Sequence, residues 1–250
     1  EQVQPKMVAL ADGGFYVSWF DNAAGGYDVR LQRLSATGVE LWPHNGVLVA
    51  DRNLSSTTDY GLSVDTAGNA LLAFNDDSEA SERIVAAKIS PDGLAIWGTP
   101  GIAVSTSTGF LASPRIAGTD DGDVVVAWFQ VSDTVLQRLD PAGAKLWATD
   151  GLVLAHSGDT FVVADLQATG ANGGLDTGNV IVSWVRYVSF AGAKHLWAQK
   201  LDPDGLPLWG AGHKQVFDLA GGSLQFGNFP GFESDGAGGA IVAWERSEER

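Results

Sequence analysis

The chain has 250 residues, with 15 Lys and Arg against 30 Asp and Glu, a formal charge of −15, no Cys, one Met, nine Trp and 32 Gly. At 45% apolar and 18% charged it can bury a sizeable core, while its few, scattered basic residues exclude an unassisted nucleic-acid or polyphosphate partner. The lack of Cys removes disulfides, thiolate zinc sites and cysteine nucleophiles, and no run approaches the roughly 18 apolar residues of a membrane span.

From the N-terminus, the first expected strand is PKMVAL at 5–10, followed by the turn ADGG at 11–14, whose glycines supply positive φ. A β-rich run ending in an aromatic comes next, YVSWFD at 16–21, and then LQRLSATGVELW at 31–42, a strand turning through a hairpin toward a fourth strand. The same order returns along the chain. The first unit recurs as LLAFND (71–76), VVAWFQ (125–130), IVSWVR (181–186) and IVAWER (241–246). Its aromatics Trp19, Phe74, Trp128, Trp184 and Trp244 are 55, 54, 56 and 60 residues apart. The second recurs as AAKISPDGLAIW (86–97), LQRLDPAGAKLW (136–147) and AQKLDPDGLPLW (198–209), with Trp42, Trp97, Trp147 and Trp209 in phase with the first series. Pro and Gly in these hairpins are what a tight turn selects.

Four strands per period, with no sustained 3.6-residue apolar pattern, predict an all-β chain. A period of about 50–60 residues predicts a β-propeller of four-stranded blades, four full blades plus half of a fifth. The blades are expected near 4–58, 59–111, 112–163 and 164–227, with a partial blade at 228–250, all in one domain. Glu1 is neither an initiator Met nor the start of a signal-peptide pattern, so a processed or excised chain is expected. The last unit stops after its second strand, so the expectation is a fragment of a larger propeller, or an incomplete ring whose edges another chain covers.

The hairpin motif resembles the tryptophan-docking segment of quinoprotein-type propellers, in which a Gly-containing turn precedes a Trp that packs on the neighbouring blade. SPDGLAIW, with Ser90, Asp92, Gly93 and Trp97, is also similar to the Asp-box hairpin of sialidase-like propellers. The alternation LDPxG…LW most resembles the repeats of exported bacterial propeller proteins. The resemblance implies fold over almost the whole chain and leaves activity open. Composition fits an exported, cell-surface or periplasmic bacterial protein, although a reducing cytoplasm would tolerate it too.

Eight of the nine Trp fall on the two periodic series, so core packing is expected of them rather than sugar stacking; Trp197 stands outside. Arg33, Lys88, Arg138 and Lys200 recur at one place in the third strand, beside Gln32, Gln137 and Gln199 in three units. Their stems are expected to line blade edges and their heads to meet carboxylates or carbonyls, rather than grip an anion. Acidic turns at 75–79, 119–123 and 202–205 lack the ligand alternation of an EF-hand, so no cofactor is expected and only the excess of acids leaves a calcium role open. His44, His156, His195 and His213 show no zinc-ligand spacing, and neither a nucleophile elbow nor a phosphate-binding loop occurs. The arginine cluster of sialidase chemistry is absent from the repeats. Carboxylates from separate loops can still converge.

In a propeller the 1–2 turns and 3–4 hairpins share one face, and the 2–3 loops and blade connections the other. The second set differs from unit to unit, and divergence between repeats marks where individual roles arise. Tyr27, Tyr60, Asp76, Asp77 and Tyr187 are the candidate ligand-face residues. The function expected is a non-enzymatic surface module presenting this face to a protein or glycan. The alternatives are a carbohydrate-active propeller, lectin or glycoside hydrolase, and a structural piece of a surface assembly that associates edge to edge or lacks a remainder.

Overall fold

A computed structural model describes residues 1–53, 59–78, 81–107, 109–155, 157–170, 172–217, 222–225, 227 and 229–245. His156 and the interiors of the connections at 51–60 and 75–83 lie outside the described residues. The β-branched and aromatic runs of the repeats form antiparallel strands throughout. Sheet I holds β1 (Gln2–Ala9), β2 (Phe15–Asp21), β3 (Asp28–Leu34) and β4 (Val47–Ala50). Sheet II holds β5 (Gly61–Val64), β6 (Ala70–Asp76), β7 (Arg83–Ile89) and β8 (Ile102–Ala103). Sheet III holds β9 (Leu111–Gly118), β10 (Val124–Gln130), β11 (Asp133–Leu139) and β12 (Leu152–Leu154). Sheet IV holds β13 (Thr160–Ala168), β14 (Val180–Tyr187), β15 (His195–Leu201) and β16 (Lys214–Phe217). Sheet V has β17 (Phe232–Ser234) and β18 (Ala240–Val242). Among the described residues the sole helical element is the 3₁₀ turn Asn172–Gly174.

Each sheet is a simple meander, and the first strands of successive sheets lie side by side, which is a propeller-like arrangement. In sheets II to IV the second strands supply the core because both of their faces are covered. In β10, Val124, Val126 and Trp128 meet Leu71, Ala73, Ile84 and Ala86 of sheet II, while Val125, Ala127 and Phe129 meet Val180, Val182 and Trp184 of sheet IV. Burial of both faces explains why these runs are continuously apolar instead of alternating. Phe74, Trp128 and Trp184 are completely buried, each facing the preceding sheet.

The hairpin tryptophans fasten one sheet to the next. The indole N–H of Trp42 donates to the Pro91 carbonyl (3.0 Å), that of Trp97 to Pro141 (3.1 Å) and that of Trp147 to Pro203 (2.9 Å). The ring covers the glycine of the same turn. A Cβ on Gly93 would stand 3.3 Å from Trp42, and one on Gly143 3.2 Å from Trp97, at φ of +81° and +92°. These two positions need glycine both for close approach and for conformation. The tryptophans were expected at the start of the fourth strand; they sit ahead of it. A bridge such as Leu34 to Glu40 closes each hairpin tip, the chain then swings outward with the Trp, and β4 resumes only at Val47. Gln32 holds this excursion: its amide donates to the Pro43 carbonyl (3.0 Å) and its oxygen accepts from the Arg33 and Trp42 N–H groups. Gln137 and Gln199 repeat the clip.

The recurring cations are structural ties. Arg33 pairs with Asp12 (2.8 Å) and reaches the Pro91 carbonyl, and Lys88 pairs with Asp65 (2.9 Å). Arg138 binds Asp121 (2.6 Å), Asp123 (2.7 Å) and the Gly178 carbonyl (2.7 Å), and Lys200 binds Asp176 and the Gly238 carbonyl. Each cation thus pairs with the 1–2 turn of its own sheet, and Arg33, Arg138 and Lys200 also reach a carbonyl of the next sheet.

Candidate active site

The five candidate ligand-face residues do not form one site. Tyr60 is buried, its hydroxyl bonded to Ser18 Oγ (2.8 Å) and to the Gln4 carbonyl (2.8 Å), and burial pushes its phenol up to about 12. Asp76 is also fully buried and accepts from the Ser78 hydroxyl (2.6 Å). Asp77 accepts from the Asn53 N–H (2.8 Å). Tyr27 lends its carbonyl to Arg52 Nε (2.6 Å) and its hydroxyl to Glu1 (3.2 Å). Arg52, which carried no sequence signal, gathers Tyr27, Asp76 and Asp77 by bridging the Tyr27 and Asn75 carbonyls over the Phe20 ring. Burial lowers its guanidinium to about 10, with the Asp76 and Asp77 charges opposing. Tyr187 lies in sheet IV, with the Lys194 ammonium 5.2 Å from its ring centre.

A set of residues that shares only Tyr60 with these five converges on the axis. A polar cavity of about 470 Å³ is lined from the innermost strands of sheets I to IV by Lys6, Tyr60, Arg115, Asp165 and Gln167, and from the sheet V side by Phe229, Gly231 and Glu233. Side chains link one wall to the next. Lys6 Nζ meets Asp59 (2.6 Å), Asp59 meets Arg115 (2.8 Å), and Arg115 Nε donates to the Ala164 carbonyl (2.9 Å). Asp165 accepts from the Phe232 N–H (2.9 Å) and from its neighbour Leu166 (2.8 Å). Among the described residues Glu233 has no hydrogen-bond or ion-pair partner, and it is exposed to the cavity.

Backbone irregularities aim this set. The ladders of β1 and β9 shift register opposite Trp19 and Trp128, and that of β13 between the partners of Trp184 and Ser183, in each case immediately before Lys6, Arg115 and Asp165. An extra residue turns the following side chain, a device often found beside active sites. Gln4 and Ser113 take up two of these bulges at φ of +52° each, unusual for residues with a Cβ. The signal was present in the sequence as Gln-Pro-Lys and Ser-Pro-Arg, since a proline inside a strand cannot donate to the ladder.

Desolvation raises the Asp59 carboxyl, but the Arg115 charge and the bonds from Lys6 and the Tyr60 N–H outweigh it, and the group rests below its ordinary value. Asp59 is therefore a fixed anion between two cations. Asp165 and Glu233 are the carboxylates left for chemistry. Among the described residues no group of three or more His, Asp or Glu side chains could hold a metal ion.

No family model and no curated protein matches the chain. Solved structures match in fold. An alpha-L-arabinanase from Penicillium chrysogenum, complexed with arabinobiose, superposes at a TM-score of 0.56 and 14% identity over 98% of this chain and 80% of its own. An endo-arabinase from Bacteroides thetaiotaomicron superposes at 0.50 and 12% identity over 95% and 87%. These findings correct two expectations together, that of a non-enzymatic binding module and that of a chain without enzymatic activity. The fold is shared with enzymes named for acting on glycans, and the earlier alternative, a carbohydrate-active propeller, is the better supported.

Proposed function

We propose that the protein is a carbohydrate-active enzyme that hydrolyses glycosidic bonds in the axial cavity, with Asp165 and Glu233 as its carboxyl pair. The convergence of these two acids in one cavity with Lys6 and Arg115, which Asp59 ties together, carries the reading. Glycoside hydrolysis asks one carboxyl group to protonate the leaving oxygen and a second to attack the sugar or activate water. Asp165, held by N–H donors as an acceptor, suits the second task. Glu233, without a partner, suits the first. The Lys6–Asp59–Arg115 row supplies donors to sugar hydroxyls, with Asp59 offsetting one of its two positive charges. Phe229 offers an apolar ring, 45% exposed, against which a sugar face can lie.

A ring of four full blades and half of a fifth, and export from a bacterial cell, belong to the same reading; the inner strands around one cavity support the first and the acidic, cysteine-free composition the second. The test is reducing-sugar release from arabinan, galactan, mannan and glucan. Wild type should cleave at least one, and Glu233→Gln and Asp165→Asn should each lower kcat by about 10²–10⁴-fold. Unchanged circular dichroism separates lost chemistry from lost fold. Binding without cleavage would replace the hydrolase with a lectin, and activity undiminished in both variants would remove the assignment of the pair.

A further inference from the structure

Sheet V and sheet I leave four matched contacts unmade. In sheets II to IV the residues equivalent to Ile241 are Leu71, Val125 and Ile181, all at most 1% exposed, yet Ile241 is 67% exposed. The equivalents of Trp19 in sheets II to IV, Phe74, Trp128 and Trp184, are wholly buried against the preceding sheet, whereas Trp19, with Val3, Val17 and Pro5, lines an open cavity of about 440 Å³. Trp209 stands where Trp42, Trp97 and Trp147 stand, but donates to no proline carbonyl among the described residues. Finally, Gly38 occupies the turn position of Gly93, Gly143 and Gly205; those three are covered by an indole, while nothing lies within 4 Å of a Cβ placed on Gly38.

We propose that β18 and the uncovered face of sheet I form an acceptor cleft for a β-hairpin of this chain's own repeat chemistry. The incoming first strand would pair with the edge of β18 that no strand covers among the described residues, extending sheet V by strand addition. Its alternate apolar residues would lie on Ile241 at one side and on Val17 and Trp19 at the other. The turn must offer a carbonyl to the Trp209 indole, which a Pro-x-Gly turn does in three sheets, and its trailing Trp must cover Gly38. The recognised motif is therefore an apolar strand followed by Pro-x-Gly and a Trp four residues after the glycine. These four sites are separated along the sequence and come from different elements. Their vacancies nevertheless fit one ligand, and that agreement separates the cleft from an ordinary exposed apolar surface. The inference is independent of the proposed catalytic pair.

The test uses the full chain and a synthetic peptide of residues 133–154, which contains one complete hairpin with Pro141, Gly143 and Trp147. Isothermal titration should show saturable one-to-one binding, and hydrogen exchange should slow at Ala240–Val242 and around Gly38. Ile241→Glu, at an exposed site, should abolish binding while leaving the unfolding midpoint unchanged. Trp209→Phe, or Trp147→Ala in the peptide, should weaken binding about tenfold. If the free peptide self-associates, the same hairpin joined after Arg250 by a flexible linker should raise the unfolding midpoint, and Ile241→Glu should cancel the rise. No binding together with no rise in the fusion would overturn the proposal. So would binding indifferent to Ile241→Glu, or a chain that dimerises through β18 and thereby fills the cleft with a second copy.

Discussion

Trp97 offers a direct measure of how sheets are fastened. Its indole is 8% exposed, lies 3.2 Å from the Cβ position of Gly143 and donates to the Pro141 carbonyl at 3.1 Å. Trp97→Ala removes both packing and bond, and large-to-small changes of this kind cost about 3–5 kcal/mol. Trp97→Phe keeps a ring over the glycine but loses the N–H. One neutral hydrogen bond contributes about 1 kcal/mol net, and the smaller ring adds about as much again, so about 2 kcal/mol is expected. Trp209→Ala should cost less than Trp97→Ala, because Trp209 donates to no proline carbonyl among the described residues. The assay is equilibrium unfolding in urea, read by far-ultraviolet circular dichroism, with the slope checked for constancy across variants. If Trp97→Ala falls within about 1 kcal/mol of wild type, or Trp97→Phe is as damaging as Trp97→Ala, fastening through the indole and turn is refuted.

Two further outcomes follow from the electrostatic ties. Arg138 is fully buried and holds Asp121 and Asp123, whose side chains are 28% and 16% exposed, so Arg138→Ala should cost about 3 kcal/mol. Arg33→Ala, with its partner Asp12 at 56%, should cost under about 1 kcal/mol; equal losses in urea unfolding would contradict this ordering. Asp59 and Asp65 both rest below the ordinary carboxyl value: burial raises each, but Arg115 and Lys6 outweigh it at Asp59, and Asn69 and Lys88 at Asp65. A depressed folded value stabilises above the unfolded value of 3.8 and loses that contribution as pH falls through the folded one. Stability should therefore drop below about pH 4, and Asp65→Asn should flatten the drop; an unchanged acid limb in that variant would dissociate Asp65 from it.

The repeat period, the all-β class, the hairpin turns and the structural use of the tryptophans were legible in the chain itself. Each depends on contacts that recur, so Pro91, Pro141 and Pro203 meet Trp42, Trp97 and Trp147 in the same way and leave the same trace in three units. Periodic cations were legible for the same reason, and so was the weight given to diverged segments. Which diverged segments matter was decided by tertiary structure. Tyr60 and Asp76 looked like loop-face residues and are buried, the Tyr60 hydroxyl bonded to Ser18 and one Asp76 oxygen to the Ser78 hydroxyl. Lys6, Asp59, Arg115, Asp165 and Glu233 share no motif and lie 50 or more residues from their neighbours in this set, from Lys6 to Asp59 to Arg115 and onward. Only the arrangement of inner strands around an axis makes them adjacent, and only the bulges before Lys6, Arg115 and Asp165 turn those side chains inward. Repetition records what every sheet must do to hold its neighbour. The cavity is built from what each inner strand does alone, and apart from the prolines that mark the bulges before Lys6 and Arg115 the sequence keeps no local record of that.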